Sequence, residues 1–148
     1  MIDANIIVAL SNSVCLPFIA NIDNYRSKRR LYCAVAASTL YHLAENKYEE
    51  GYNLLNISLD KLLLFDRAFA LMIGIIVFIN IYFVPKKLTK SIIINAIAAT
   101  ICLSLSEYDM IYLLLTGIEL EKVDKTQYII FHSLWHIFAF YCSTKILE

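Results

Sequence analysis

Apolar residues along this 148-residue chain fall into long runs that are separated by short charged connectors. A weaker run, Met110 to Leu120, is too short for a full membrane span and is expected to lie at the interface or re-enter the bilayer. The pattern predicts an all-α transmembrane bundle, one domain over residues 1–148, with about five short membrane helices, or six if the weak run also spans. The five stronger runs are Asn5 to Ala20, Leu31 to Ala44, Leu59 to Val84, Leu88 to Leu105 and Tyr128 to Leu147.

The connectors between these runs alternate in charge. By the positive-inside bias, the N-terminus is predicted to face outward and the first and third connectors to face the cytoplasm. Lys122 and Lys125, by contrast, favour an inward connector before the last helix, as six spans would require. The first connector carries Arg26, Lys28, Arg29 and Arg30, the second carries Glu45, Glu49 and Glu50, and the third carries Lys86, Lys87 and Lys90.

Composition points to a lipid environment. Hydrophobic residues make up 59% of the chain, above the roughly 45–50% of soluble domains, and charged residues make up 18%, below their roughly 25%. The mean hydropathy is +0.62. Thirteen basic and thirteen acidic residues are interleaved, so we expect no cationic surface for nucleic acid. The four cysteines are dispersed through apolar runs, which favours buried free thiols over a disulfide framework.

Three histidines carry the candidate chemistry. His42, His132 and His136 are the only histidines, and each lies inside an apolar run, where ionisable groups are costly and usually functional. His132 and His136 stand four residues apart and therefore share one helical face, as do Ser38 and His42. Asp66 adds a carboxylate early in the third helix. Three imidazoles with one open position are typical of a catalytic zinc site.

Simpler explanations remain open for each of these residues. A membrane histidine can hydrogen-bond a neighbouring helix, and a pair with this spacing can also ligate haem. Ser38 can act as a small packing residue, and Asp66 can pair with the adjacent Arg67. Spacing alone therefore does not separate a metal site from helix packing.

The order Ser38-x-x-x-His42, Asp66, His132-x-x-x-His136 resembles the motif set of the CREST superfamily of membrane hydrolases, which includes the alkaline ceramidases. The local strings S-T-L-Y-H-L and F-H-S-L-W-H are similar to the ceramidase and GPI-phospholipase branches. The resemblance implies a Zn²⁺ ion held by the three histidines and a water activated by the ion and by Asp66. It also implies that Ser38 steadies the oxyanion or the water, and that the substrate is a membrane lipid with an amide or ester bond, ceramide or a relative.

The chain also departs from that family. Its members usually have seven membrane helices, whereas only about 60 residues separate Asp66 from His132 here, which is too few for the same number of spans. Arg67 replaces an apolar or small residue, and the glycine common after the last histidine is absent. Five spans place all three histidines in the same outer half of the membrane, whereas six separate them, so we favour five.

Three functions follow as hypotheses. The first is a zinc-dependent intramembrane hydrolase of a lipid amide or ester. The second is a catalytically inactive, reduced relative that binds a lipid or a partner protein. The third is a bis-histidine haem protein of electron transfer.

Overall fold

The computed structural model describes residues 4–45, 57–85, 88–118 and 125–148, and it confirms the predicted all-α class. Glu49, Glu50, Lys86, Lys87 and Lys122, which entered the predicted topology, lie outside these residues. The helices are α1 (Ala4–Ser11), a 3-10 turn (Asn12–Cys15), α2 (Leu16–Ala20), α3 (Tyr25–Ala44), α4 (Leu59–Phe83), α5 (Lys90–Ser106), α6 (Tyr108–Thr116) and α7 (Lys125–Leu147).

Local chemistry explains where two of the helices begin or break. The side chain of Asn24 accepts hydrogen bonds from the backbone N–H groups of Arg26 and Ser27, at 3.0 and 3.1 Å, so α3 starts six residues before the predicted Leu31. Pro17 lacks an N–H group and cannot bond to the carbonyl of Ser13. The first apolar run is accordingly divided by a 3-10 turn into α1 and α2.

Helix α7 lies at the centre of the packing. It contacts α5, α1 and α4, while α3 packs against α4 and α1. One buried cluster joins Ile19, Leu31, Ile73 and Leu147, which come from α2, α3, α4 and α7. The space bordered by α1, α3, α4 and α7 is where the site residues meet.

The predicted count of five membrane spans is not matched. Among the described helices, only α4 is long and apolar enough to cross a membrane, and a second candidate arises only if α5 and α6, bent by 69° with respect to each other, are taken together. The run from Asn5 to Ala20 is too short. Helix α3 begins with a cationic turn, and α7 contains two histidines and two lysines. These polar residues lower the mean hydropathy of both helices.

Helix α4 is nevertheless unlike the central helix of a soluble protein. Only 11% of its most apolar stretch is buried. Leu71, Phe78 and Phe83 are 67, 69 and 74% exposed, and apolar side chains of α5 and α6 are exposed as well, with Leu115 at 81%. Such a continuous apolar exterior is rare on soluble monomers.

Candidate metal centre

The three histidines meet in one buried cluster. Ring centroids are 4.8 Å apart for His42 and His132, 5.0 Å for His42 and His136, and 4.9 Å for His132 and His136. One ring nitrogen from each residue lies within 4.8 Å of the other two, and all three side chains are buried. The three histidines are therefore close enough to hold a single metal ion, although the cluster by itself does not identify the metal.

Helix geometry explains why these residues converge. His132 and His136 project from one face of α7, a turn apart, because side chains four residues apart stack along a helix. His42 occupies the last turn of α3 and completes the triangle from the opposite side. Since α1 and α4 both contact α3 and α7, they hold the two histidine-bearing helices in this arrangement.

Each histidine also has an oxygen near its Nδ1 atom. Oε2 of Glu45 lies 2.8 Å from Nδ1 of His42, and Oγ of Ser11 lies 2.9 Å from Nδ1 of His136. Oε1 of Glu107 lies 3.4 Å from Nδ1 of His132, within ion-pair distance but without a hydrogen bond. Oxygens that accept from Nδ1 orient histidine ligands in known metal sites, because they leave the Nε2 lone pair for the ion.

The hydrogen bonds of Ser11 specify the tautomer of His136. The single hydroxyl proton of Ser11 is donated to the carbonyl of Val8, at 2.6 Å, so Ser11 can only accept from His136. Nδ1 of His136 therefore carries the proton, and its Nε2, which lies 3.4 Å from Oγ of Ser38, is an acceptor. Since acceptors are what a metal ion requires of imidazole, this tautomer is suited to coordination.

The unsatisfied ring nitrogens fit a metal ion as well. Among the described residues, neither Nε2 of His42 nor Nε2 of His132 has a hydrogen-bond partner, although both are buried. Buried polar atoms are normally paired, and an exception calls for an explanation such as an ion. The donor set is thus three imidazole nitrogens.

Ser38 and Asp66 adjoin the cluster. Oγ of Ser38 lies 3.4 Å from Nε2 of His136 and accepts from Nδ2 of Asn12 at 3.3 Å. Asp66 interacts with the Ser38 hydroxyl, and its charge acts on His42. Ser38, Asp66 and His136 all line one cavity of about 200 Å³ between α3, α4 and α7, so the structure brings all five predicted site residues into one region.

Sequence reasoning missed the residues that support the cluster. Glu45 follows His42 by three positions, a spacing that places two side chains on one helical face, so it was detectable. Ser11 is 125 positions from His136 and carries no such signal. Glu107 owes its position to the bend between α5 and α6, which periodicity does not reveal.

No family model, curated protein or solved structure matches this chain. Its function is therefore inferred from its own residues and from the order of its motifs.

Proposed function

We propose that this protein is a zinc-dependent membrane hydrolase of a lipid amide or ester bond, a shortened relative of the ceramidase-like branch of the CREST superfamily. One observation carries the proposal: of three buried histidines with clustered ring nitrogens, His136 lines a cavity that is also lined by a carboxylate and a hydroxyl, those of Asp66 and Ser38. A structural metal site has no need of such an adjoining cavity.

The choice of zinc follows from the donor set. Imidazole suits zinc, copper, iron and nickel, and three protein ligands with one open position are the usual form of a catalytic zinc site. Zinc bound here would supply Lewis acidity and lower the pKa of a coordinated water. Haem suits the geometry less well, because ring centroids only 4.8 to 5.0 Å apart leave no room for a porphyrin between two imidazoles.

The chain's own residues then have separate tasks. We assign Asp66 the task of accepting the proton of the attacking water, because its carboxylate lines the cavity beside His136. The Ser38 hydroxyl is placed to donate to the oxygen on which negative charge develops. Apolar walls contributed by Ile73 and Phe140 limit water around the reacting bond.

A lipid substrate is consistent with the outer surface of the protein. Helix α4, with 25 residues, is about 37 Å long, which exceeds the roughly 30 Å of a bilayer's hydrocarbon core. We place α4 across the membrane, with the N-terminus of the chain on the outer side. The shorter helices then lie beside α4, within or at the surface of the bilayer. The cavity lies against α4, so a lipid can reach it from the membrane.

Zinc analysis combined with a hydrolysis assay tests the proposal. We expect about one zinc per chain in detergent-purified protein and its loss in both His42→Ala and His132→Ala, because each removes a ligand. Asp66→Asn should keep the zinc but lower hydrolysis of ceramides or phospholipids at least about a hundredfold, since a general base contributes roughly 10²–10⁴ in rate.

Asp60→Asn is the matched control, because Asp60 is exposed in the first turn of the same helix. It should retain both zinc and activity. Absence of zinc from the wild type would refute the proposal. Zinc without hydrolysis of any acyl lipid would instead favour the second candidate, an inactive metal-stabilised relative, which the small number of membrane-spanning helices supports.

A further inference from the structure

Glu45 is a carboxylate next to the cluster with three polar contacts. Its Oε1 accepts from the hydroxyl of Tyr41 at 2.7 Å, and its Oε2 accepts from the hydroxyl of Tyr128 at 2.8 Å. The same Oε2 lies 2.8 Å from Nδ1 of His42. Two hydroxyl donors, one on α3 and one on α7, and an imidazole nitrogen of α3 thus converge on one side chain.

The end of α3 puts the carboxylate in this position. Helix α3 stops at Ala44, and Glu45 continues in an extended conformation with φ −66° and ψ 133°, while its backbone N–H still donates to the carbonyl of Tyr41 at 2.7 Å. The side chain folds back onto the last turn and is 15% exposed. Its conformation is therefore set by the helix terminus as well as by its hydrogen bonds.

The hydrogen bonds of Glu45 also bear on the tautomer of His42. The hydroxyls of Tyr41 and Tyr128 donate to Oε1 and Oε2 of Glu45, respectively, so both carboxylate oxygens act as acceptors. An ionised carboxylate is an acceptor only. It therefore requires a proton on Nδ1 of His42, which leaves Nε2 as the metal-binding atom.

We propose that Glu45 is the positioning residue of the metal site: it holds His42 in the Nδ1–H tautomer and, through Tyr128, ties that ligand to the helix that carries the other two. The inference rests on the proposed metal site for its effect on zinc, but the tautomer is a property of the metal-free protein. A purely structural Glu45 would stabilise α3 against α7 without selecting the tautomer.

The test uses ¹⁵N-histidine-labelled protein without metal, in detergent, at a pH well above the ordinary histidine pKa of about 6.5. Two-bond proton–nitrogen spectra distinguish the tautomers, and only three histidines contribute, with His42→Ala assigning one of them. We expect the Nδ1–H form of His42 in the wild type. Glu45→Met should convert it to a mixture or to the Nε2–H form, leaving the His136 signal unchanged.

Zinc affinity provides the second readout. Glu45→Met should weaken zinc binding roughly 10- to 100-fold, as removal of oxygens behind histidine ligands does elsewhere. Glu45→Gln should recover part of this loss, because its amide oxygen can still accept from His42 while its charge is gone. Glu148→Met is the matched control: Glu148 is exposed and pairs with Lys145 at 2.6 Å, away from the histidines, and it should change neither readout.

The outcomes separate this inference from the proposed function. Retention of the Nδ1–H tautomer of His42 in a folded Glu45→Met protein would overturn the positioning role of Glu45. If the wild type binds zinc, an equal zinc affinity of Glu45→Met would overturn it as well. If the wild type binds no zinc, and the Glu45→Met variant loses the Nδ1–H tautomer of His42, the proposed hydrolase function fails and the positioning role of Glu45 stands.

Discussion

At the scale of single residues, the site depends both on its three imidazoles and on the oxygens near their Nδ1 atoms, such as those of Ser11 and Glu45. The three histidines were predictable because they are the only ones in the chain and each lies in an apolar run. Ser11 was not predictable, because its pairing with His136 depends on how α1 packs against α7. The proposed ligands were thus predictable from the sequence, whereas most of the residues that support them became apparent only in the fold.

Ser11→Ala tests that support. Removing the oxygen that accepts from Nδ1 of His136 should weaken zinc binding roughly tenfold, the lower end of the range for such partners, as measured by competition with a chelator. Ser13→Ala is a close control. Ser13 follows Ser11 by two residues, and its hydroxyl likewise donates to a backbone carbonyl, that of Leu10, but Ser13 is exposed. Equal affinity in the two variants would show that Ser11 does not orient the ligand.

At the scale of helices, hydrophobic periodicity located all the major elements and misjudged mainly their ends. The run predicted at Leu59 to Val84 became α4, Leu59–Phe83, and the run predicted at Tyr128 to Leu147 became α7, Lys125–Leu147. The number of spans was wrong for a physical reason. Apolar runs show where a helix can be buried, but a helix buried against other helices needs neither the length nor the uniform apolarity of a lipid-exposed span.

Helix α4 offers a direct test of the cavity. A Cβ atom added at Gly74 meets no atom within 4 Å, so Gly74→Leu should fold and should project into the cavity that holds Asp66. Leucine also favours helix over glycine by up to about 1 kcal/mol. We expect kcat/KM for a palmitoyl substrate to fall roughly tenfold, equivalent to about 1.4 kcal/mol, with less effect on an acetyl substrate.

The control for this variant is Ala68→Leu, which adds bulk to the same helix on a different groove, one shared with Arg30. It should leave both substrates unaffected, and zinc content should be unchanged in both variants. A uniform loss of activity towards long and short chains after Gly74→Leu would argue against acyl-chain binding in the cavity.

At the scale of the whole molecule, the exposed apolar side chains of α4 raise the question of whether this helix faces water or lipid. Phe78 of α4 and Tyr25 at the start of α3 are almost equally exposed, at 69 and 70%, but only Phe78 lies on the helix that we place across the bilayer. Arginine at the centre of a membrane helix costs about 2.5–3.5 kcal/mol on insertion scales. Phe78→Arg should therefore reduce the carbonate-resistant membrane fraction of the expressed protein, whereas Tyr25→Arg should not.

If both arginine variants stay in the membrane fraction to the same extent as wild type, α4 does not face lipid. A wild-type protein that remains monomeric in buffer without detergent would contradict the bilayer placement altogether.

The position of α7 in the chain has a consequence for biosynthesis. Two of the three histidines belong to α7, which is synthesised after all the other described helices, whereas His42 and Glu45 emerge much earlier. Until α7 docks, His42 has Glu45 as a local partner, but neither of the other two histidines is near it. The proposed metal site is therefore completed late in the life of the nascent chain, and we expect a ribosome-bound fragment ending before His132 to bind zinc no better than the unfolded polypeptide.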